Sequence, residues 1–298
     1  MKKDSFSVVQ RTPQTKALPI STPDQVIDIQ TAVNYYNNFY DTRIRDNASD
    51  LTRNVWFELT ILENFVTRIY DTCNKKGIAL TGLAFLFGAD ADKKRTVFIA
   101  PMTYDEKMGL ERSFTLYNDK VVFLHGHLID SYSTISNYKE LSNKEESLIL
   151  GEQGILSITD AVQLYNDYHD QKIAPIADQV DADTRIVYYR TGEFEHYLTY
   201  LNNCGKAYQM NITGINMVFS AYDKDASYGA YANHQILFFA PTATHNQHLA
   251  FSSFDAPMEN LLDFSKTEWD TQPHTIKKSL VSSLFNHGSS GPPPYTWD

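Results

Sequence analysis

Several features that would identify a chemical function are scarce or missing in this sequence. No run of about 18 apolar residues, the length that a membrane-spanning helix needs, occurs in the chain. The nucleophile motif G-x-S-x-G, the P-loop and the dinucleotide-binding motif G-x-G-x-x-G are also absent. Sequence motifs therefore assign no catalytic residue and no cofactor, and we expect no insertion into a membrane.

Positive charge is scarce as well. The 298 residues carry a formal net charge of −10. The longest basic runs are Lys75-Lys76 and Lys93-Lys94-Arg95, both at predicted turns. Nucleic acids and anionic membrane surfaces are bound through clusters of lysine and arginine. The composition therefore argues against nucleic acid as a partner.

Only two cysteines are present, Cys73 and Cys204. A disulfide between them would require two helix ends to lie side by side, so we expect two buried free thiols instead. The first residues, MKKDSFSVVQRTPQ, contain no apolar segment of a signal peptide. We therefore expect a cytoplasmic protein, with export by a signal-less route as the alternative.

The chain does contain an internal repeat. Residues 28–44 and 157–173 share seven identical positions at a shift of 129. Two later matches follow in the same order: Thr81-Gly82-Leu83 with Thr213-Gly214-Ile215 at a shift of 132, and Ala100-Pro101 with Ala240-Pro241 at a shift of 140. Because the order is kept and the shift grows only in loops, the pattern indicates a duplicated domain.

The local patterns within each repeat predict helices followed by strands. Apolar residues at helical spacing predict helices at about 28–45, 59–74 and 192–204, and a repeat of the first one that begins at Ser157. Gly77 and Gly205 are predicted helix stops. Paired apolar runs predict a β-hairpin in each half, beginning near Thr81 and Thr213.

The resulting prediction is an α+β fold of two tandem homologous domains. Each domain would have two helices and a small antiparallel sheet, and a pseudo-two-fold axis would relate the two. The expected divisions are a flexible arm at 1–24, repeat one at 25–153, repeat two at 154–288 and a proline-rich tail at 289–298.

The Thr-Gly-Leu/Ile strand, with a Phe four or five residues on, and the Ala-Pro strand carry a resemblance. They resemble a family of small, uncharacterised bacterial proteins that have a TGIxxxF strand, a hydrophobic-x-P-T strand and a proline-rich tail. The unit would occur here twice. Met102 follows Pro101 where that family has Thr, so the first half departs from the pattern. The resemblance implies no activity and no catalytic residues.

One pair of histidines is a weak metal-site candidate. His125 and His127 are two positions apart, so on a strand both imidazoles would point to one face. No cysteine follows at ligand spacing, and two surface histidines beside a turn are the competing interpretation. We therefore assign no metal.

Two segments are candidates for binding a partner. The loop with Tyr222, Tyr228 and Tyr231 offers tyrosines, which interfaces favour, and packing of this loop against its own domain is the competing interpretation. The second segment is the C-terminal Pro292, Pro293, Pro294, Tyr295 and Trp297, which suits an extended polyproline conformation. It would dock in a partner's groove or lie as a strap along its own chain.

These features favour a non-enzymatic interaction or structural protein, with a protein partner or self-association. The alternative is a small-molecule binding or enzymatic site at the interface between the repeats, since clefts between domains often hold such sites. That alternative predicts polar residues from both halves at the junction.

Overall fold

The structure, a computed structural model, describes residues 23–27, 29–45, 50–124, 140–180, 183–208, 211–245, 248–249, 284–285 and 289–291. Within these ranges the chain forms four α-helices: α1 at Ile29–Arg43, α2 at Leu59–Lys76, α3 at Ile158–Tyr168 and α4 at Glu193–Tyr208. The predicted helices are therefore confirmed, with their ends shifted by a few residues.

Two of the helix ends lie at the capping residues expected from the sequence, and a third does not. Ser157 accepts a hydrogen bond from the backbone of Asp160, whose side chain accepts one in return, so a capping box begins α3. Gly77 ends α2 in the left-handed conformation at a φ of 66°. The predicted stop at Gly205 is wrong, because α4 continues to Tyr208. Gly205 and its neighbour Cys204 are buried, and packing there outweighs the weak helix propensity of glycine.

The described strands form two antiparallel sheets. In chain order the strands are β1 Val26–Ile27, β2 Asn54–Glu58, β3 Leu80–Ala89, β4 Arg95–Asp105, β5 Leu110–Tyr117, β6 Lys120–Leu124, β7 Leu150–Gly151, β8 Gly154–Ile155, β9 Ile186–Arg190, β10 Asn211–Ala221, β11 Gln235–His245, β12 His248–Leu249, β13 Leu284–Phe285 and β14 Ser289–Gly291. The first sheet has the order β1-β13-β11-β10-β2, with β12 beside β11. The second has the order β14-β9-β3-β4-β5-β6, with β7 beside β4 and β8 beside β7.

These sheets correct one part of the sequence prediction. A small sheet within each half was expected, but the described strands gather into sheets of six and eight, and each sheet takes strands from both halves. The mixed helix-and-strand architecture is confirmed. The small sheet per half is wrong because two short strands, β2 and β9, pair across the halves rather than within them.

The exchange of β2 and β9 is reciprocal in register. Strand β2 pairs with β10, where Glu58 lies opposite Gly214. Strand β9 pairs with β3, where Arg190 lies opposite Gly82. Glu58 and Arg190 are 132 positions apart in the sequence, and so are Gly82 and Gly214. The Thr-Gly strand repeats at the same shift.

The hydrophobic core occupies three layers. The inner faces of the two sheets meet in one large cluster, which α2 and α4 complete. Ring contacts cross between the sheets, with centroids 4.9 Å apart for Phe85 and Phe239 and 5.8 Å for Phe87 and Phe219. Helix α1 covers the outer face of the first sheet, and α3 covers that of the second. Each aromatic side chain buried here contributes roughly 1.5–3 kcal/mol.

The repeated glycines lie where the exchanged strands approach most closely. A Cβ atom at Gly82 would lie 2.4 Å from the carbonyl oxygen of Tyr189, and one at Gly214 would lie 2.5 Å from that of Phe57. Real Cβ atoms do not come so near a backbone oxygen, so these positions require glycine.

We expect Gly82→Ala and Gly214→Ala each to lower the free energy of unfolding by about 1–3 kcal/mol, because the neighbouring strand must move away. Urea denaturation measures this loss. Glu58→Ala, at an exposed strand position, is the control and should change stability by less than about 0.5 kcal/mol. Glycine variants as stable as this control would contradict the close approach.

Candidate functional site

Most of the residues predicted from the sequence to bind a partner or a metal lie outside the described residues. This holds for His125, His127, Pro292, Pro293, Pro294, Tyr295 and Trp297. Among the residues that the structure does describe, no group of three or more His, Cys, Asp or Glu side chains is placed to hold a metal ion.

The tyrosine loop divides into a packed part and an exposed part. Tyr222 and Tyr228 stack with ring centroids 4.9 Å apart. Both contact Tyr35 of α1 edge-on, at 5.3 and 6.3 Å. Burial raises the pKa of Tyr222 to about 12. Tyr231 is 40% exposed and is the most exposed of the three, since Tyr222 and Tyr228 are partly buried.

The most concentrated polar chemistry lies in the interior, where segments from both halves meet. Arg43, at the end of α1, donates from Nε to Oδ2 of Asp183 at 2.9 Å, and its Nη2 lies 2.8 Å from the same oxygen. Asp183 precedes β9, and its Oδ1 accepts from the backbone N–H of Gln235 at 2.7 Å. Both charged side chains are buried. This ion pair therefore joins the first half of the chain to the second.

In a second buried ion pair, the cation belongs to the second half of the chain and the carboxylate to the first. Lys172, after α3, lies with Nζ 2.8 Å from Oδ2 of Asp50. Asp50 precedes β2 and also accepts from Nη1 of Arg95 at 2.7 Å. The backbone N–H of Thr52 donates to its other oxygen at 2.9 Å. Asp50 is thus held by one cation from each half of the chain.

The two ion pairs use corresponding positions of the repeat. Lys172 follows Arg43 by 129 residues, the shift at which the first helix recurs. Asp183 follows Asp50 by 133, close to the shift of 132 found for the strands. We name these four residues, together with Arg95, the junction network. Within the described residues it holds three cations and two carboxylates.

Two arginine–tyrosine contacts flank the junction network and repeat in the same way. The guanidinium of Arg53 lies 3.1 Å from the ring centroid of Tyr36, and that of Arg185 lies 3.6 Å from the ring of Tyr165. Each arginine also donates to the backbone oxygen of its tyrosine at 2.7 Å. These contacts anchor α1 and α3 to the residues just before β2 and β9.

Burial and the ion-pair partner shift the pKa of Asp50 in opposite directions, and the same holds for the pKa of Lys172. Burial by itself raises the pKa of Asp50, but hydrogen bonding by Lys172 and the charge of Arg95 outweigh it, so this pKa lies below its ordinary value. Burial lowers the pKa of Lys172, and Asp50 counteracts that effect only in part. The network therefore keeps Asp50 ionised at neutral pH, as a partner for cations.

The two thiols offer no reactive site. Cys73 and Cys204 are both free and buried, which confirms the sequence prediction. Burial raises the pKa of each to about 11, so both are protonated at neutral pH. A protonated thiol is a poor nucleophile, and cysteine chemistry is therefore not supported at either position.

Sequence reasoning missed the junction network, although part of its signal was visible. The dipeptide Thr52-Arg53 recurs as Thr184-Arg185 at a shift of 132, with an aspartate two residues before the first dipeptide and directly before the second. A comparison of charged residues between the halves would have found the two aspartates. It would not have shown that each is bound by a cation from the other half.

Comparison of the chain with protein-family models, with curated proteins and with solved structures gave no match. None of the helices in the described part of the chain is both long enough and apolar enough to cross a bilayer.

We expect Asp50→Asn to lower the free energy of unfolding by about 3–5 kcal/mol, because it leaves Lys172 and Arg95 buried without their anion. Adding Lys172→Met should restore part of this loss. Asp41→Asn breaks the exposed Arg45–Asp41 pair and is the control, with an expected change below about 1 kcal/mol. Chemical denaturation of the wild type and the three variants measures these effects. Equal losses from the buried and exposed variants would contradict the network.

The lowered pKa of Asp50 also predicts a pH dependence. An aspartate with a folded pKa below its unfolded value of about 3.9 stabilises the fold above that pH and loses its contribution as the pH falls through the folded pKa. The free energy of unfolding of the wild type should therefore fall more steeply below about pH 4 than that of Asp50→Asn. Urea unfolding at a series of pH values measures both slopes, and parallel curves would contradict the assignment.

Proposed function

We propose that this chain is a non-enzymatic interaction or structural protein, built from a duplicated α+β unit with repeats at 25–153 and 154–288. A pseudo-two-fold axis would relate the two copies, with their first helices and short strands exchanged between them. The single observation that carries the proposal is the junction network. It occupies the place between the two copies where a ligand-binding or catalytic site would be expected. Its two carboxylates are taken up by ion pairs and backbone N–H groups.

The repeated geometry supports the duplication. Each residue pair between β2 and β10 corresponds to a pair between β9 and β3, with both residues displaced by 132 positions in the sequence. Strand β13 pairs with β11 at Phe239, and β7 pairs with β4 at Ile99, which are positions 140 apart. The ion pairs and the arginine–tyrosine contacts recur as well. Unrelated halves would have no reason to share these details. We retain the family resemblance on the same basis, as part of the proposal.

The exposed aromatic side chains support an interaction role. Tyr231 is 40% exposed beside two packed tyrosines. Large aromatic side chains that already lie on a rigid support lose little entropy when a partner binds. The proline-rich tail supports the same role through its composition. The two free thiols suit a reducing compartment, so we place the protein in the cytoplasm in this proposal.

One observation favours the alternative, a binding or enzymatic site between the copies. Gln235 stands where the first half has Arg95, at a shift of 140. Nε of Arg95 is buried and has no hydrogen-bond partner among the described residues. An anionic ligand could use this charge. A screen of small anions by thermal shift tests it, and a rise in Tm that Arg95→Gln abolishes would favour the alternative.

The interaction proposal is tested by affinity capture from a lysate of the source organism. We expect the wild type and Tyr104→Ala to retain the same partner, and Tyr231→Ala to retain at least about fivefold less at unchanged stability, a loss of roughly 1 kcal/mol in binding. Tyr104 is a matched control because it is 52% exposed on β4 of the other sheet. A wild-type protein that stays monomeric and captures nothing would contradict the proposal.

A further inference from the structure

Strand β2 is the open end of the first sheet. In the described structure it pairs with β10 on one side and ends the strand order on the other. Its counterpart β9 is not open, because β14 pairs with its outer side from Ser289 to Gly291. Among the described residues, the outer side of β9 therefore carries an added strand and the outer side of β2 carries none.

The backbone groups that point outward from β2 follow from its register. The N–H of Phe219 donates to the oxygen of Arg53 at 2.9 Å, so alternate residues from Arg53 onward face β10. The N–H and C=O groups of Asn54 and Trp56 and the N–H of Glu58 therefore face away from the sheet, while the C=O of Glu58 accepts the first hydrogen bond of α2. Such a row of outward groups is a template for another strand.

Three further segments of the chain attach to strands other than β2. Residues 1–22 lead into β1, at the opposite end of the first sheet. Residues 250–283 connect β12 with β13, which both pair with β11. Residues 292–298 follow β14, in the other sheet. None of the strands to which these segments attach is β2.

Trp56 makes this edge both apolar and rigid. Its side chain is 42% exposed, and its Nε1 donates to Oγ1 of Thr242 at 3.1 Å. The indole lies directly against Gly214, where a Cβ would be 2.5 Å from the ring. Leu51 before the strand and Ile61 after it are 66% and 46% exposed. Exposed apolar side chains on a bounded surface are typical of an interface.

We propose that a second copy of this chain pairs with this edge, β2 against β2 in antiparallel orientation, about a two-fold axis at Trp56. The three outward residues are symmetric about Trp56, so Asn54 of each copy lies opposite Glu58 of the other in this register. Trp56 then faces Trp56 of the second copy. Glu58 faces Asn54 rather than another carboxylate, so no like charges lie opposite one another. The two first sheets become continuous.

This inference rests on the proposed interaction function and names a second copy as the partner. It is tested on the full chain by sedimentation equilibrium, from low to high micromolar concentration. We expect a concentration-dependent dimer in the wild type. Trp56→Lys should raise the dissociation constant at least about tenfold, because it removes the aromatic pair and places two positive charges opposite each other. Tyr104→Lys is the control and should leave the dimer unchanged.

Spin labels locate the interface independently. Since Glu58 lies four strand residues from its copy across the axis, labels at Glu58→Cys should be separated by roughly 15–25 Å in the dimer. Labels at Tyr104→Cys should not share this distance. Cys73 and Cys204 are buried, which favours labelling at the introduced site.

Three results would overturn the inference: a wild type that is monomeric throughout, a dimer that Trp56→Lys leaves intact, or a monomer whose Asn54, Trp56 and Glu58 amides exchange slowly. The last result would assign the edge to another segment of the same chain. A monomer that still captures a partner through Tyr231 would overturn this inference alone. A dimer disrupted by Trp56→Lys supports it whatever the capture experiment finds.

Discussion

The pairing of buried carboxylates with cations from the opposite half of the chain is the interaction on which the rest of this structure depends. Removing a carboxylate and an ammonium or guanidinium from water costs several kcal/mol for each ion. Asp183 recovers this cost only when Arg43 arrives from the first half, and Asp50 draws on Lys172 from the second. Although Arg95 pairs with Asp50 within the first half, Asp183 and Lys172 of the second half find their ion-pair partners in the first, so the two halves fold around each other.

The exchanged strands impose the same requirement on the backbone. Strand β2 adds to the sheet built on β10, and β9 adds to the sheet built on β3. The aspartates stand just before these strands, and the arginine–tyrosine contacts fasten the helices beside them. Charge, hydrogen bonding and ring packing thus select one arrangement together. Such agreement among different interactions specifies a unique fold better than any one of them does.

This division of roles separates scaffold from surface. The residues that recur between the halves are mostly buried: Tyr36 and Tyr165, Gly82 and Gly214, and the members of the ion pairs. The features in which the halves differ include the open edge at Trp56 and the exposed Tyr231. The recurring residues lie in the folded interior, and the positions that differ between the halves include exposed side chains that a partner can reach.

Local chemistry in the sequence determined the local elements. The spacing of apolar residues predicted the helices, Ser157 and Gly77 marked two of their ends, and the apolar runs predicted the hairpins. The repeat also singled out Gly82 and Gly214 before their close contacts were known. Each of these features depends on residues that are near one another in the chain, so a sequence pattern can report it.

Only the tertiary structure decided which elements meet. An alternating pattern shows that β2 buries one face, but the pattern is the same whether its neighbour is β3 or β10. Likewise, the sequence contains Arg43 and Asp183 without stating that residues 140 positions apart form an ion pair. Helix α4 passes through Gly205 for a similar reason, since distant packing outweighed a local preference. Partner choice is settled by the summed burial and charge of the whole chain, which short-range patterns do not encode.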